Sequence, residues 1–452
     1  MIFPLIKDGS IKEKLNSPLF KEIYCLSIMI LCAIFWLLNF IVGAIILIVL
    51  TFIVLILFWN IDLIIPILLN SVLLVNREYK FDTKSFPIEL LVLVLLMISL
   101  LCLYFFKNGF KIKVGNHKLG FLLIGISMII PLIFKSHLDI VSLQYLLYFS
   151  GVIYFLLYMI FINSFTKDSF DFVIKVFTFL PFIILFQTLV VVLQTPNWKQ
   201  NIYHLAVNYG WGIGNEAIIL MLFILPFVFY RLITGLKYEK MLSIVSLLSI
   251  VVSTIFTFSR GGYLAIPLTL FVLITVTILM YFKKKNISLK QTLLLLLSLI
   301  FIYSLVIYLF KIFGLIDGIF DLDNPLNTSN RIEYLYPLAW KNFTSDYKSI
   351  LFGSGLINKI DYNGRFIVYH STIFQTLSQA GLFGMVALII HLIQKYKFIR
   401  IKNNPLAIYI LISYITVDIY GLLDNSYYMY YYMIFLVIFI CSYEKRSAFY
   451  EN

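Results

Sequence analysis

Long apolar runs separated by short polar connections occupy most of the 452 residues. The runs are mostly about 17–24 residues long, enough for an α-helix to cross roughly 30 Å of hydrocarbon. They lack the strict alternation of apolar and polar residues that marks the strands of a transmembrane barrel. The pattern predicts an all-α integral membrane protein, a polytopic helical bundle of about 12–14 transmembrane helices forming a single membrane domain over residues 1–452.

The apolar pattern also gives the span boundaries. The predicted spans are residues 22–38, 41–59, 61–75, 86–106, 119–134, 141–162, 170–194, 216–232, 241–257, 263–281, 291–312, 371–395, 405–421 and 427–442. The third is short and carries Asp62 and Asn70. The chain is 62% hydrophobic and 13% charged, with a mean hydropathy of +0.97, which excludes a soluble globular protein of this length.

The basic residues predict the orientation of the spans. With the N- and C-termini in the cytoplasm, the predicted cytoplasmic segments hold Lys107, Lys111, Lys113, Lys118, Arg231, Lys237, Lys240, Lys283, Lys284, Lys285, Lys395, Lys397, Arg400 and Lys402. About two thirds of the Lys and Arg residues then lie on the cytoplasmic side, as the positive-inside rule expects. The net charge of +13 therefore reflects topology and requires no nucleic-acid partner. This orientation predicts three segments on the outer face: residues 195–215, the turn at Arg260 and the long loop 313–370.

The stretch "FTFSRGGYLA" interrupts two apolar runs with Ser259, Arg260, Gly261 and Gly262. A tight turn with a snorkelling arginine explains this interruption. The predicted topology places Arg260 on the outer face, where the two glycines would also let a phosphate approach the backbone beside the guanidinium.

The long loop 313–370 contains "NTSNRIEYLYPLAWKNF", which predicts an amphipathic helix. Its apolar face is formed by Ile332, Leu335, Tyr336, Ala339, Trp340 and Phe343. Asn330 is the predicted N-cap, with Glu333 three residues later, and Pro337 kinks the helix or ends it early. Arg331 falls in the first turn, where a cation is unfavourable for the helix alone, so that a bound anion would compensate it. The alternative is a solvated surface arginine.

Other polar residues stand near the predicted outer boundaries of spans. His370 ends the long loop, with Ser371 after it as a predicted helix cap and Arg365 before it as a weaker cation. A histidine there is either a general base or an ordinary interfacial residue. In "NYGWGIGNEAIIL", Asn215 and Glu216 open a span. The carboxylate either binds sugar hydroxyls or acts as a base, or it complements the helix dipole.

No pattern of metal ligands is convincing. Asp321 and Asp323 of "FDLDNP" lie in an ordinary acidic loop. We therefore expect no metal and no cofactor.

Several short motifs together resemble the O-antigen ligase/polymerase superfamily of membrane glycosyltransferases. The matching elements are "GWGIGN" at Gly210–Asn215, "SRGG" at Ser259–Gly262, the arginine opening "RIEYLYPLAWKNF", "LFGSG" at Leu351–Gly355, and the "HS…GLFG" helix from His370 to Gly384. The resemblance covers about residues 200–400, in the family's order. Each motif is weak alone, and Ser371 stands where many members have asparagine.

The resemblance implies a GT-C-like enzyme that uses no nucleotide sugar. Its donor would be an oligosaccharide on undecaprenyl pyrophosphate, transferred to an acceptor sugar hydroxyl at the outer face of the bacterial cytoplasmic membrane. His370 would deprotonate or orient the acceptor, and Arg260 and Arg331 would hold the pyrophosphate. The resemblance implies that the other substrate-binding residues are Arg365, Asn215, Glu216, Ser259, Gly261 and Gly262. Membrane lipid, a flippase and a chain-length regulator are the expected partners.

Two other functions remain open. A ligase would use the same donor chemistry but move finished glycan to a different acceptor; the "GWGIGN" similarity favours the repeat-unit polymerase. A flippase or transporter would carry ionisable groups near the bilayer midplane, often in repeated halves. We find few charges within the predicted spans and no internal repeat, so transport is the less favoured function.

Overall fold

The computed structural model describes residues 17–38, 60–71, 114–134, 144–196, 207–283, 331–355, 369–399, 405–427 and 430–449, with single positions between 43 and 106. In chain order the α-helices are α1 (Pro18–Leu37), α2 (Ile64–Ser71), α3 (Lys118–Phe134), α4 (Gln144–Ser164), α5 (Ser169–Gln194), α6 (Gly214–Thr234), α7 (Lys237–Phe256), α8 (Arg260–Lys283), α9 (Tyr336–Phe343), α10 (Tyr347–Phe352), α11 (Thr372–Lys397), α12 (Pro405–Leu423) and α13 (Tyr430–Phe449). These ranges contain no strand, only an isolated bridge between Asn208 and Ile213.

The protein is a multi-pass membrane protein. Seven helices in the described part are long and apolar enough to cross a membrane, namely α1, α5, α6, α7, α8, α11 and α12. This confirms the predicted all-α polytopic bundle, and the predicted span 216–232 corresponds to α6. The predicted span 291–312 lies outside the described residues, as do most of 41–59 and 86–106.

Helix α6 lies at the centre of the core, enclosed by α5, α7, α12 and α13. The Phe223 ring is 5.6 Å from Phe177 on α5, and 5.5 and 5.7 Å from Tyr432 and Phe439 on α13, measured between ring centroids. Because lipid is as apolar as these side chains, close van der Waals packing rather than the hydrophobic effect holds such helices together.

The described part of the short predicted span 61–75 forms a short, largely buried helix. A 3₁₀ turn, Ile61–Leu63, leads into the eight-residue α2. Asp62 in this turn is buried, where its Oδ1 accepts a 2.5 Å hydrogen bond from the Ser169 hydroxyl and its Oδ2 lies 3.9 Å from the Lys21 ammonium. These partners offset the cost of burying the carboxylate.

Helix α11 is broken at Gly381, which has φ 64° and ψ −158°. The loop after α10 docks at this break. The backbone N–H groups of Ser354 and Gly355 donate to the carbonyls of Ser378 and Gln379, at 2.8 and 3.0 Å. The break would leave these carbonyls without helical partners, so "LFGSG" supplies them. Two motifs distant in the sequence are thus one packing unit.

The amphipathic helix of the long loop differs from its prediction. Arg331–Leu335 forms a π-helical turn, and Pro337 lies in the first turn of α9 rather than kinking it. Of its predicted apolar face, Ala339 and Phe343 are buried in the protein, whereas Ile332 and Trp340 are exposed. The predicted N-cap Asn330 lies outside the described residues.

Lys395, predicted at the cytoplasmic end of the span 371–395, lies within α11. Its side chain is buried in the bundle, and Nζ lies 2.7 Å from both carboxylate oxygens of Asp418 on α12. The interior therefore holds more charge than the apolar pattern predicted, because an ion pair formed between two helices cannot be seen in either run alone.

We name the two ends of the bundle after one residue each. The His370 end carries the starts of α6, α8 and α11 and the ends of α7 and α12. The Glu444 end carries the starts of α3 and α5, the end of α6 and the last turns of α13.

Candidate functional site

The "SRGG" turn joins α7 to α8 at the His370 end. The Ser259 hydroxyl accepts from the Gly262 N–H at 3.2 Å and so caps the first turn of α8. A Cβ on Gly261 would lie 2.9 Å from the Tyr420 ring, and one on Gly262 would lie 2.5 Å from Ile218 Cδ1. Both glycines therefore have a packing role, and the space beside them is filled by protein.

Arg260 begins α8 with an exposed side chain. Within the described part of the chain it forms no hydrogen bond or ion pair. A guanidinium held by a rigid turn without a carboxylate partner is available to an anionic ligand.

A polar cluster joins this turn to α6 and α12. The Ser259 hydroxyl donates to Asn215 Oδ1 at 2.6 Å and lies 3.3 Å from the Tyr420 hydroxyl. The Glu216 carboxylate accepts from the Ile213 N–H at 2.9 Å. This contact supports the helix-dipole interpretation of Glu216, because the carboxylate satisfies a free N–H at the start of α6. Glu216 also interacts electrostatically with Asp424, which follows α12.

His370 and Asp424 form the central pair of the site. Nδ1 of His370 lies 3.1 Å from Oδ1 of Asp424, and the side chains are 29% and 5% exposed. Asp424 Oδ1 also accepts from the Asn425 N–H at 2.8 Å. If Nδ1 carries the proton that Asp424 accepts, Nε2 of the neutral imidazole is left as a proton acceptor.

The backbone at this end is strained. Phe258 and His370, at φ 52° and 48°, are the non-glycine residues with positive φ in the described part of the chain. This conformation costs of order 1–3 kcal/mol and concentrates at functional sites. One such residue precedes the "SRGG" turn and the other carries the imidazole.

Ser371 is the N-cap residue of α11, but the expectation that its hydroxyl caps the helix is wrong. Its side chain makes no capping hydrogen bond. Instead the Gln375 side chain accepts from the Tyr369 N–H at 2.8 Å, which fixes the backbone just before His370.

Arg331 lies at the end of α12 next to Asp424, where its Nη1 donates to the carbonyl of Leu423. The sequence suggested that a bound anion compensates this cation. The structure adds a different compensation, the negative end of the α12 dipole. Because the partner is a neutral carbonyl, the guanidinium keeps its charge and further donors for an anion.

Tyr336 links the long loop to the histidine. Its hydroxyl is 3.5 Å from the His370 carbonyl oxygen, and its ring stacks on Phe374 with centroids 4.4 Å apart. Burial raises the pKa of the Tyr336 phenol above its ordinary value, and although Arg331 opposes this shift, Asp424 adds to it. The phenol therefore stays protonated and can donate a hydrogen bond.

The structure brings together most of the predicted residues. Tyr420 and Asp424 lie among five of them, namely Asn215, Glu216, Ser259, Arg331 and His370. Tyr420 interacts electrostatically with Asp424, Glu216 and Arg331. Arg260, Gly261 and Gly262 continue the same turn. Arg365 lies outside the described residues.

Sequence reasoning missed Asp424 and Tyr420. The available signal was the carboxylate of "LLDN" directly after the predicted span 405–421, on the same predicted face as His370.

The described residues contain no group of three or more His, Cys, Asp or Glu side chains arranged to hold a metal ion. Comparisons with protein-family models, with curated proteins and with solved structures found no match to this chain. The chemistry of the site therefore has to be inferred from its own residues.

Proposed function

We propose that this protein is a metal-independent glycosyltransferase that polymerises lipid-linked oligosaccharide repeat units at the outer face of the bacterial cytoplasmic membrane. The observation that carries the proposal is the His370–Asp424 pair beside Arg331 at one end of a membrane bundle. A partly exposed imidazole oriented by a buried carboxylate is suited to act as a general base. The motif resemblance to the O-antigen ligase/polymerase superfamily supplies the substrate class.

In the proposed reaction, an acceptor sugar hydroxyl attacks the anomeric carbon of the donor glycan. His370 Nε2 accepts the hydroxyl proton as the new C–O bond forms. The bond from the anomeric carbon to undecaprenyl pyrophosphate breaks, and the leaving group takes the electron pair. Arg331 and Arg260 stabilise the charge that develops on the pyrophosphate, and arginine's planar fork suits phosphate oxygens.

The buried carboxylates have supporting roles in this scheme. Asp424 orients His370 and stabilises the imidazolium that forms. Ser259, Asn215 and Tyr420 hold the starts of α6 and α8 in register, so that Arg260 stays on the same side as His370. Glu216 is bound to its own helix start, which makes it a positioning residue rather than a second base.

The test is a reconstituted assay with one synthetic lipid-linked repeat unit and no other acceptor. A polymerase produces a ladder of lengthening glycans from this substrate alone. A ligase produces no ladder but transfers the glycan once a second acceptor is supplied. Failure of the wild-type protein to transfer glycan under either condition would contradict the proposal.

A further inference from the structure

A second polar cluster lies inside the bundle, formed by residues of α11, α12 and the segment that follows α12. The buried Lys395 ammonium contacts both oxygens of Asp418 at 2.7 Å and the Tyr427 hydroxyl at 2.5 Å. Tyr427 also donates to Asp418 Oδ1 at 3.0 Å, and Tyr396 donates to Oδ2 at 2.6 Å. The Tyr414 ring lies 4.7 Å from Nζ. Ionisable groups within a membrane are costly and mark ion or proton pathways.

His391 lies one turn before Lys395 on α11. Its ring centroid is 5.6 Å from that of Tyr427 and 4.8 Å from that of Phe121 on α3. The side chain is completely buried, and neither ring nitrogen has a hydrogen-bond partner within the described ranges. A buried imidazole left unpaired costs stability, so packing alone does not account for it.

A third group of polar side chains lies at the Glu444 end. The buried Glu444 carboxylate accepts from His117 Nδ1, from the Tyr158 hydroxyl at 3.0 Å and from the Asn116 N–H at 3.1 Å. Asn116 itself is exposed, so this group lies one residue from the surface.

One aromatic ring separates this group from His391. His117 interacts electrostatically with His391. The Phe121 ring packs against both Tyr158, at 5.1 Å between centroids, and His391.

At the opposite end from Glu444, Tyr427 and Asp418 line a groove between α11 and α12. The groove has a volume of about 380 Å³, and Asp418 and Tyr427 are polar residues in a lining that is otherwise mainly aliphatic, including Ile389, Leu392 and Ile419. The Asp418 side chain is 19% exposed, whereas that of Lys395 is completely buried. These residues are therefore partly exposed at Asp418, lie one residue from the surface at His117, and are completely buried at His391.

We propose that Glu444, His117, His391, Tyr427 and Asp418 form a proton path from the Glu444 end to this groove. A proton held by the Glu444–His117 pair passes to a free nitrogen of His391 when the Phe121 ring turns aside. His391 then gives a proton to the Tyr427 oxygen as Tyr427 gives its own to Asp418, and Asp418 releases it into the groove. The Lys395 ammonium, 2.7 Å from both oxygens of Asp418, stabilises the Asp418 carboxylate between transfers.

Proton flux into proteoliposomes tests the path. The full-length protein is reconstituted with an internal pH-sensitive dye, and a potassium gradient with valinomycin imposes a membrane potential. We expect flux above that of protein-free vesicles. His391→Phe keeps the ring and removes no hydrogen bond, so it should fold normally and reduce flux to the protein-free level. Ser413→Ala, which removes a buried hydroxyl on α12 outside the path, should leave flux unchanged.

Two further variants make the test independent of His391 alone. Lys395→Met with Asp418→Leu replaces the ion pair by apolar side chains, a change that folded proteins often tolerate, and should also abolish flux. Phe121→Ala should increase flux, and His391→Phe should cancel that increase. Size-exclusion profiles confirm folding of each variant. Wild-type flux at the protein-free level, or His391→Phe flux equal to wild type, would overturn the proton path without bearing on glycosyl transfer.

Discussion

The two ends of the bundle differ in whether their basic side chains form ion pairs with carboxylates. At the Glu444 end, Arg231 Nη2 lies 2.6 Å from Glu239, and Lys175 Nζ lies 2.8 Å from Glu22. At the His370 end, the described hydrogen-bond partner of Arg331 is a neutral carbonyl, and Arg260 has no ion pair with any described residue.

Paired charges hold helices in place, whereas cations without carboxylate partners are free to bind an anion. The carboxylates at the His370 end are not used to neutralise the arginines. Glu216 caps α6, and Asp424 binds a histidine. This difference supports the proposed anion-binding role of the His370 end, whereas the ion pairs of Arg231 and Lys175 have a structural role.

The largest effect should come from His370. Replacing His370 by alanine removes the proposed base and should lower the polymerisation rate about 10²–10⁴-fold. Because the side chain is partly exposed, thermal stability in detergent should change little. A large loss of stability in His370→Ala would indicate a structural role and remove the contrast between the two ends.

Arg231 tests the comparison from the opposite end. Arg231→Ala leaves the half-buried Glu239 and Glu22 with Lys175 as their remaining described cation, so unfolding should become easier by roughly 1–3 kcal/mol. The polymerisation rate per folded molecule should stay near that of wild type. Thermal unfolding and activity of the same preparation measure both quantities; a stable but inactive variant would contradict the structural assignment.

Arg331 should affect the reaction rather than the fold. Arg331→Ala should reduce the rate about 10²–10³-fold, because one donor to the developing pyrophosphate charge is lost. Arg331→Lys keeps the charge without the planar fork and should recover only part of the rate. Arg446→Ala, which removes the Arg446–Asp171 pair at the other end, is the matched control and should keep full activity.

Asp424 tests whether a carboxylate must orient His370 and stabilise its protonated form. Asp424→Asn can still accept a hydrogen bond but cannot stabilise an imidazolium, and it permits the wrong tautomer of His370. We expect a rate loss of roughly 10²-fold, with KM for the lipid-linked substrate nearly unchanged. A rise in KM without a fall in kcat would instead assign Asp424 to substrate binding.

The smallest effect concerns the loop docked on α11. A Cβ on Gly353, where φ is 79°, would lie 2.1 Å from the Gln379 carbonyl oxygen. Gly353→Ala should therefore destabilise the protein by roughly 1–3 kcal/mol, and partial loss of activity should follow from displacement of the first turns of α11, which begin directly after His370. Gly235→Ala gives a comparison outside the site; equal effects on activity would show that the docked loop has no special link to it.

The apolar pattern predicted most of the fold that the structure describes. The predicted spans 216–232 and 405–421 agree with α6 and α12 within two residues at each end, because length and hydropathy alone define such helices. The break at Gly381 was not predicted, since a glycine inside an apolar run does not by itself end a helix. The break depends on the backbone N–H groups of Ser354 and Gly355, which donate to the carbonyls that the break frees.

The candidate site was predictable only in part. Arg260 stood out because it interrupts two apolar runs. Arg331 and His370 stood out because they lie in the long loop predicted on the same face. Asp424 and the burial of Lys395 did not, because each depends on a partner from a different helix. Motif order indicated which segments matter, but the pairing that orients His370 is a tertiary contact.

The most direct measurement is ladder formation by wild-type protein and His370→Ala, assayed side by side in vesicles with a single lipid-linked repeat unit. We predict a growing ladder with wild type and almost none with the variant, at equal amounts of folded protein. Equal ladders from both proteins, or no glycan transfer by wild type even with an added acceptor, would contradict the assignment of His370 as the base of a glycosyltransferase.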